Sequence, residues 1–516
     1  MVINQAPEPG KGVQQDTCKH ATSEIILIPQ PTEDPSDPLN WSMSKKIIIL
    51  ALVSISAFIG IAQALANQSG FFAQAELYNK NPIQISYSIS AAIAGLATGP
   101  FIWTLLSKSV GRSSCIFWGL LGTLGCGIWS ATMTGTNDYI SFVISRWLAG
   151  TFGSAPSTLG AGTVLDMFFL HQRGKAFACY TLCTLFGTQI GATLSGFIVE
   201  YAPWPVQFWW TVGLEGLMAI LVFLFLEETG FSREGNARTY AEPPHSWLRN
   251  RVATFFPGNP VSPQERAGGK HNLLALCLVA ISPVTLLAGT FLLLTFGWAV
   301  AVATLLSVFL QTPKEEGGYG FSPLQVSCFT FTNWVALFAA QVYGILLNDR
   351  IPIWFCRRFR RGMWEPEIRL FPVLLVPMVL LPVSLGLFGA GLQYHLHFMV
   401  LALAVFLGGF CENILIPVTI NYVVECFTDY AEEVAAILNF FRLSLGLTVP
   451  FFIKHWEEAV GLGWVFGMMA FLALFAFSLM GLLAWKGALI RQYSVAHLRK
   501  SEDGMRLIAQ REVMAI

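Results

Sequence analysis

The sequence predicts an all-α polytopic membrane protein, with 12 transmembrane helices in two six-helix halves and both termini cytosolic. Three observations carry this. Only 12% of the 516 residues are charged and 54% are hydrophobic, whereas a soluble domain carries about 25% charged residues. Twelve segments approach the roughly 20 apolar residues that a helix needs to cross the hydrocarbon core. Lys and Arg are strongly biased to one side of those segments: 26 fall in the termini and loops assigned to the cytosol and three, Lys80, Lys314 and Lys454, in outside loops. That is the bias expected of cytoplasmic loops.

The elements follow in order. Residues 1–46 form a polar tail whose one apolar run, Ile26-Leu27-Ile28, is too short for a secretory signal. Residues 47–226 hold six spans at about 47–67, 83–107, 114–134, 139–165, 176–199 and 207–226. Residues 227–283 form a cytosolic linker and interfacial lead-in. It holds six basic and five acidic residues up to position 272, with Pro243-Pro244, which marks it as polar and poorly packed. Within it, 272–282 reads as a half-inserted lead-in broken by Pro283, with a thirteenth span as the competing reading. Residues 284–485 hold six further spans at about 284–310, 323–347, 370–391, 397–424, 432–453 and 462–485, and 486–516 form a cytosolic tail. Six plus six around a long loop suggests two parallel halves.

Composition also excludes. Lys plus Arg (31) equals Asp plus Glu (31), so no basic surplus invites nucleic acid. No P-loop motif occurs, no Cys/His cluster has zinc spacing, and no His lies mid-span. No enzyme activity and no cofactor are expected; the partners are a small-molecule substrate, protons and the lipid bilayer, and the chain is expected to be a monomer. None of the cysteines falls in an outside loop, so no extracellular disulfide is expected.

Charges inside a bilayer cost about 2.5–3.5 kcal/mol each on insertion scales, so each asks for a reason. Four stand out: Arg146, Glu215, Glu412 and Arg442. A rise of 1.5 Å per residue puts Glu412 about 18 Å and Arg442 about 15 Å above the inner surface, so the two side chains reach similar depths. They would form either a static ion pair locking spans 10 and 11, or a proton site at Glu412 tuned by Arg442. Arg146, about 10 Å below the outer surface, would snorkel to that interface on the residue-level reading. Glu215, flanked by Gly213-Leu214 and Gly216, reads as a buried structural group. It is also counted with Gln63, Asn67 and Asn413 among the polar candidates for cargo contact. Gly187, Gly191, Ser195 and Gly196 form a small-residue stripe for close helix packing. Asp166, Arg173 and Asp349 stand at inner span ends, as loop or gating charges or as solvated groups.

Six short motifs stand in order around these spans: Asp37-Pro38-Leu39-Asn40-Trp41, Arg146 with Gly150, Asp166 through Gly174, Glu228-Thr229, Tyr319-Gly320-Phe321-Ser322, and Glu365 through Leu370. In these the chain resembles the major facilitator superfamily, and more narrowly its fungal twelve-span drug:proton antiporter-like branch, related to cation and polyamine carriers. The resemblance implies the major facilitator fold, with spans 1, 4, 7 and 10 lining a central cavity. It makes Arg146 a proton-coupling residue on the cavity wall and favours Glu412 over Glu215 as the cavity carboxylate. It also implies packing of the Gly187 stripe on span 8.

Two departures stand out. The loop 2–3 motif Gly-x-x-x-Asp-Arg-x-Gly-Arg keeps Gly111 and Arg112 but has Thr104 at the first Gly and Lys108 at the Asp. The usual gating charge pair is thereby altered. The span 5 antiporter motif keeps its small residues but loses its Pro. The function expected is secondary transport by alternating access, as proton-coupled efflux of an amphipathic secondary metabolite or xenobiotic across the plasma membrane. Alternatives are a vacuolar or endosomal location, proton-coupled uptake of a small organic cation, or a transporter-like sensor without flux.

Overall fold

The computed structural model describes residues 31–514 except 33, 35–36, 231–245, 257–275, 349, 360–364 and 428–429. Asp349 and most of the linker therefore lie outside the described residues. The first group of helices is α1 (Met43–Leu65), the short α2 (Phe71–Tyr78), α3 (Pro82–Val110), α4 (Arg112–Thr132), α5 (Tyr139–Met167), α6 (Leu170–Tyr201) and α7 (Val206–Phe225). The linker contributes α8 (Trp247–Phe255). The second group is α9 (Pro283–Gln311), α10 (Pro323–Tyr343), α11 (Arg350–Phe359), α12 (Phe371–Leu375), α13 (Pro377–Gln393), α14 (Phe398–Cys426), α15 (Ala431–Val460) and α16 (Leu462–Met514).

Ten described helices are long and apolar enough to cross a membrane. Two helices at expected span positions fall short of that measure. Pro377–Gln393 has 17 residues, and Tyr139–Met167 is long but carries Arg146 and several Ser, Thr and Gly residues. Among the described residues, 276–281 are helical and end before Pro283, which starts α9.

Local chemistry explains where the helices begin. Asn81 and Gln84 form a capping box on α3 with Pro82 in its first turn, and Ser322 and Gln325 do the same for α10 with Pro323. Such reciprocal caps satisfy donors that a helix start leaves open. The Tyr319–Ser322 motif is part of that start. Gly320 takes a positive φ of 64°, and the Tyr319 hydroxyl donates to the carbonyls of Gly391 and Leu396.

Within the first group α5 packs on α1, α3 and α4, while α6 lies against α1; in the second, α9 packs on α15 and α16, and α14 on α10 and α13. Across the groups, α3 meets α15 and α6 meets α10. Glycine permits close crossings. A Cβ on Gly60 of α1 would stand 2.5 Å from the Gly153 carbonyl oxygen of α5, and a Cβ on Gly153 equally close to that of Gly60. Gly153→Val should therefore push α1 and α5 apart and lower stability by about 1–3 kcal/mol; a thermal melt of the purified protein that matched wild type would contradict this packing.

Candidate functional site

The rim that carries Pro38–Asn40 is called inner here, following the basic-residue distribution. Arg146 enters from α5 and is completely buried. Its guanidinium donates to the Gln63 side-chain oxygen at 2.8 Å, to the Gln63 carbonyl at 2.9 Å and to the Ala64 carbonyl at 2.6 Å. It also lies over the Phe208 ring, 4.9 Å from the centroid. Snorkelling to the outer interface is thus corrected: the side chain is clamped to the last turn of α1, where helix carbonyls lack intrahelical donors.

Glu215 of α7 is as deeply buried, and neither carboxylate oxygen has a hydrogen-bond partner. Arg146 is its charged neighbour, close enough to act electrostatically but outside ion-pair distance. Gln63 Nε2 and Arg146 Nε are also buried without partners. The side chains converge on Gly127 of α4, where an added Cβ would lie 2.8 Å from Gln63 Nε2 and 3.6 Å from a Glu215 oxygen. Donors and acceptors thus stand side by side unpaired, and such half-satisfied buried networks are energetically expensive. Arg146→Ala would also take the donor from the Ala64 carbonyl and leave the Gln63 carbonyl with the Ala66 amide at 3.4 Å. A loss of about 1–3 kcal/mol is expected for each group left without a donor, read as a lower melting temperature.

The pairing of Glu412 with Arg442 does not form. Arg442 donates to Asn439 one turn away at 2.9 Å and stacks over Phe296, 5.3 Å from the centroid. Glu412 has no hydrogen bond or ion pair among the described residues, and it lies one turn beyond Gly408 on the same face. That face turns to Ser384 of α13: a Cβ on Gly408 would stand 2.8 Å from Ser384 Oγ. Equal depth fixed the axial coordinate of the two charges but not their rotation. Asn413 donates back to the Gly409 carbonyl at 2.7 Å.

Asn67 is also fully buried and committed. It donates to Gln74 and Ser88, each at 3.0 Å, and accepts from Gln74 at 2.8 Å and Gln207 at 2.7 Å. Gln207 in turn accepts from Ser195 at 2.7 Å. This satisfied network ties the outer ends of α1, α3, α6 and α7 together, so in this conformation Asn67 does not offer its side chain to a cargo. The small-residue stripe is likewise reassigned. Gly187 and Gly191 face the Phe58 and Ala62 carbonyls of α1, and only Gly196 meets α10, at Ser327 and the Pro323 carbonyl.

The inner rim holds a charge lattice between the two groups. Lys108 pairs with Glu433, and Arg112 bridges Asp166 of its own group and Glu432 of the other, the latter at 2.5 Å. Lys108 thus carries an inter-group ion pair of its own, with an acidic partner in the first turn of α15, where negative charge also suits the helix terminus. Behind it, Gly111 takes φ 91°, and a Cβ there would lie 2.5 Å from the Glu228 carboxylate. Glu228 accepts from the Arg112 and Ser113 amides at 3.2 and 3.0 Å, capping α4. Arg173 holds the Phe168 and Leu165 carbonyls at 2.9 Å, within its own group. Asp37, also buried, accepts from the Thr32 and Leu39 amides, each at 3.0 Å, and Lys46 donates to the Leu39 carbonyl at 2.9 Å.

At the outer side the groups meet through hydrogen bonds, one of them from the Leu324 amide to the Glu200 carboxylate at 3.1 Å. The Thr193 and Thr330 hydroxyls are 2.7 Å apart, Ser327 donates to the Thr193 carbonyl at 2.7 Å, and Gln68 to the Ala303 carbonyl at 3.3 Å. Between the rims, Asn439 donates to the Leu96 carbonyl at 3.0 Å.

Two helix groups joined by ion pairs at one rim and hydrogen bonds at the other, around buried intramembrane charges, define a helical membrane carrier. The chain belongs to the Major Facilitator Superfamily, whose sequence profile matches residues 47–363. It is a secondary transporter of that superfamily and not an enzyme. It is 28% identical over 489 residues to the efflux pump radE of Floropilus chiversii, covering 89% of this chain and 84% of that one. It is 26% identical to the efflux pump MFS2 of Trichophyton rubrum, covering 92% and 76%. Among solved structures, the proton:xylose symporter XylE bound to 6-bromo-6-deoxy-D-glucose superposes with a TM-score of 0.60 at 15% identity, covering 86% of this chain and 96% of that one.

Proposed function

We propose that this protein is a proton-coupled exporter of an amphipathic small molecule, a fungal secondary metabolite or xenobiotic, working by alternating access at the plasma membrane. It would do so as a monomer with twelve spans, two six-helix halves and both termini in the cytosol. Export is supported by the relatives named efflux pumps. A mostly apolar cargo is supported by the few polar side chains left unengaged.

The observation that carries proton coupling is the unpartnered Glu215 carboxylate beside Arg146. Arg146 has two sets of acceptors in reach of its helix: the α1 carbonyls that it now holds, and Glu215. An ionised carboxylate without a donor in such a site is costly, and a bound proton removes that cost. With the proton on Glu215, Arg146 stays on α1 and fixes it against α5. When the proton leaves, Glu215 draws the guanidinium away and α1 is released. Glu215 lies nine residues below the start of α7, about 14 Å from the outer rim, on the side from which an exporter's protons enter. Glu412, on the flank turned to α13, and Arg442, engaged with Asn439, stand outside this exchange.

The test compares cells with and without the protein, loaded with a panel of lipophilic dyes and fungal metabolites. Lower accumulation that a protonophore abolishes is expected. Higher accumulation would reverse the direction of transport, and lower accumulation insensitive to the protonophore would remove proton coupling.

A further inference from the structure

We infer that the exposed face of α11, at the inner end of α10, is a binding site for an anionic phospholipid of the inner leaflet. After α10 the chain passes through a π-helical turn, Gly344–Asn348, and resumes as α11. Arg350, Ile353, Trp354, Arg357 and Arg358 recur at spacings of three and four residues and are all exposed. They line a shallow groove of about 430 Å³. The opposite face is docked on the protein: Pro352 and Cys356 are buried, and the Phe355 and Phe371 rings lie 4.4 Å apart. The arginines are therefore displayed on a fixed surface.

Position in the bilayer identifies the occupant. Along α10 and into the π-helical turn, Phe331, Val335, Phe338, Val342 and Ile345 are exposed at helical spacing, an apolar stripe suited to acyl chains. From Pro323 at the outer end to Asn348 is 25 residues, about 38 Å of helix against a hydrocarbon core of about 30 Å. The stripe thus gives way to arginines at the depth of the inner headgroups. Trp354, 61% exposed, has the amphipathic ring that belongs at this level. Arg350 and Arg357 have no ion pair among the described residues, and a guanidinium matches a phosphate with two parallel hydrogen bonds. A headgroup phosphate over Arg350 and Arg357, with its chains along the stripe, fits both parts of the surface. A soluble phosphate uses only one of them. The negative surface of the cytoplasmic leaflet supplies the complementary charge.

The test uses the full-length protein in detergent, titrated with phosphatidylserine or phosphatidylcholine and read by native mass spectrometry of retained lipid. Wild type should retain phosphatidylserine in preference. Arg350→Gln with Arg357→Gln should weaken that retention roughly thirty-fold, at about fivefold per charge, while the Lys pair at the same positions keeps most of it. Equal retention of the two lipids by wild type would overturn the proposal whether or not the Gln variant folds. So would undiminished phosphatidylserine retention by the Gln variant, or displacement of the lipid by millimolar inorganic phosphate.

Discussion

Glu215→Gln is expected to uncouple the transporter. The amide keeps the size of the side chain but can neither release a proton nor carry the charge that draws Arg146 off α1. One proton moving down 100 mV supplies about 2.3 kcal/mol, enough to hold a roughly fifty-fold cargo gradient. In the variant that gradient should collapse to the ratio set by the cargo alone, while exchange of labelled for unlabelled cargo continues. Glu412→Gln, whose carboxylate lies away from Arg146, should leave the gradient close to wild type. The opposite pattern, coupling lost at Glu412 and kept at Glu215, would move the proton site to α14.

Charge reversal at the inner rim should have the second large effect. Lys108→Glu sets a carboxylate against Glu433 and, nearby, Glu432. Lys108 is 34% exposed and Glu433 only 6%, so solvent screens one end of the pair and not the other. Weakening of the closed inner rim by about 1–3 kcal/mol is expected, less than for a fully buried pair. That is a shift of roughly 5- to 150-fold in the balance between inner-closed and inner-open forms. It can be read as accelerated labelling of a cysteine introduced on the inward path. Adding Glu433→Lys restores opposite charges and should return labelling to the wild-type rate. If the double variant labels as fast as Lys108→Glu alone, the pair does not hold the rim.

These predictions rest on features that were unevenly legible in the chain. The helical order and its caps follow from apolar runs and from Asn81-Pro82 and Ser322-Pro323, because local chemistry sets where a helix begins. Arg146 was legible because a charge in lipid demands a partner. Its partners were only partly legible, since beside the Gln63 side chain the receiving groups are two main-chain carbonyls of α1, which no side-chain pattern announces. The glycine-rich neighbourhood of Glu215 reads as structural packing, yet its carboxylate lies beside Gly127 of the facing helix. The Gly187 stripe signals close approach without naming the helix approached, and it met α1. Lys108 was visible as an anomaly in a motif. Its answer, Glu433, lies 325 residues away, and the acidic pair Glu432-Glu433 opening span 11 is the signal that links them.

The most direct measurement of proton-coupled export is made on purified protein in liposomes of inside-out orientation, with an imposed pH gradient and no other energy source. An acid interior, equivalent to the cell exterior, should drive cargo uptake into the lumen. Wild type should accumulate it, Glu215→Gln should not, and abolishing the gradient should release it. Accumulation by wild type that is the same with and without the gradient would contradict proton coupling, and accumulation only under the reversed gradient would make the protein a symporter.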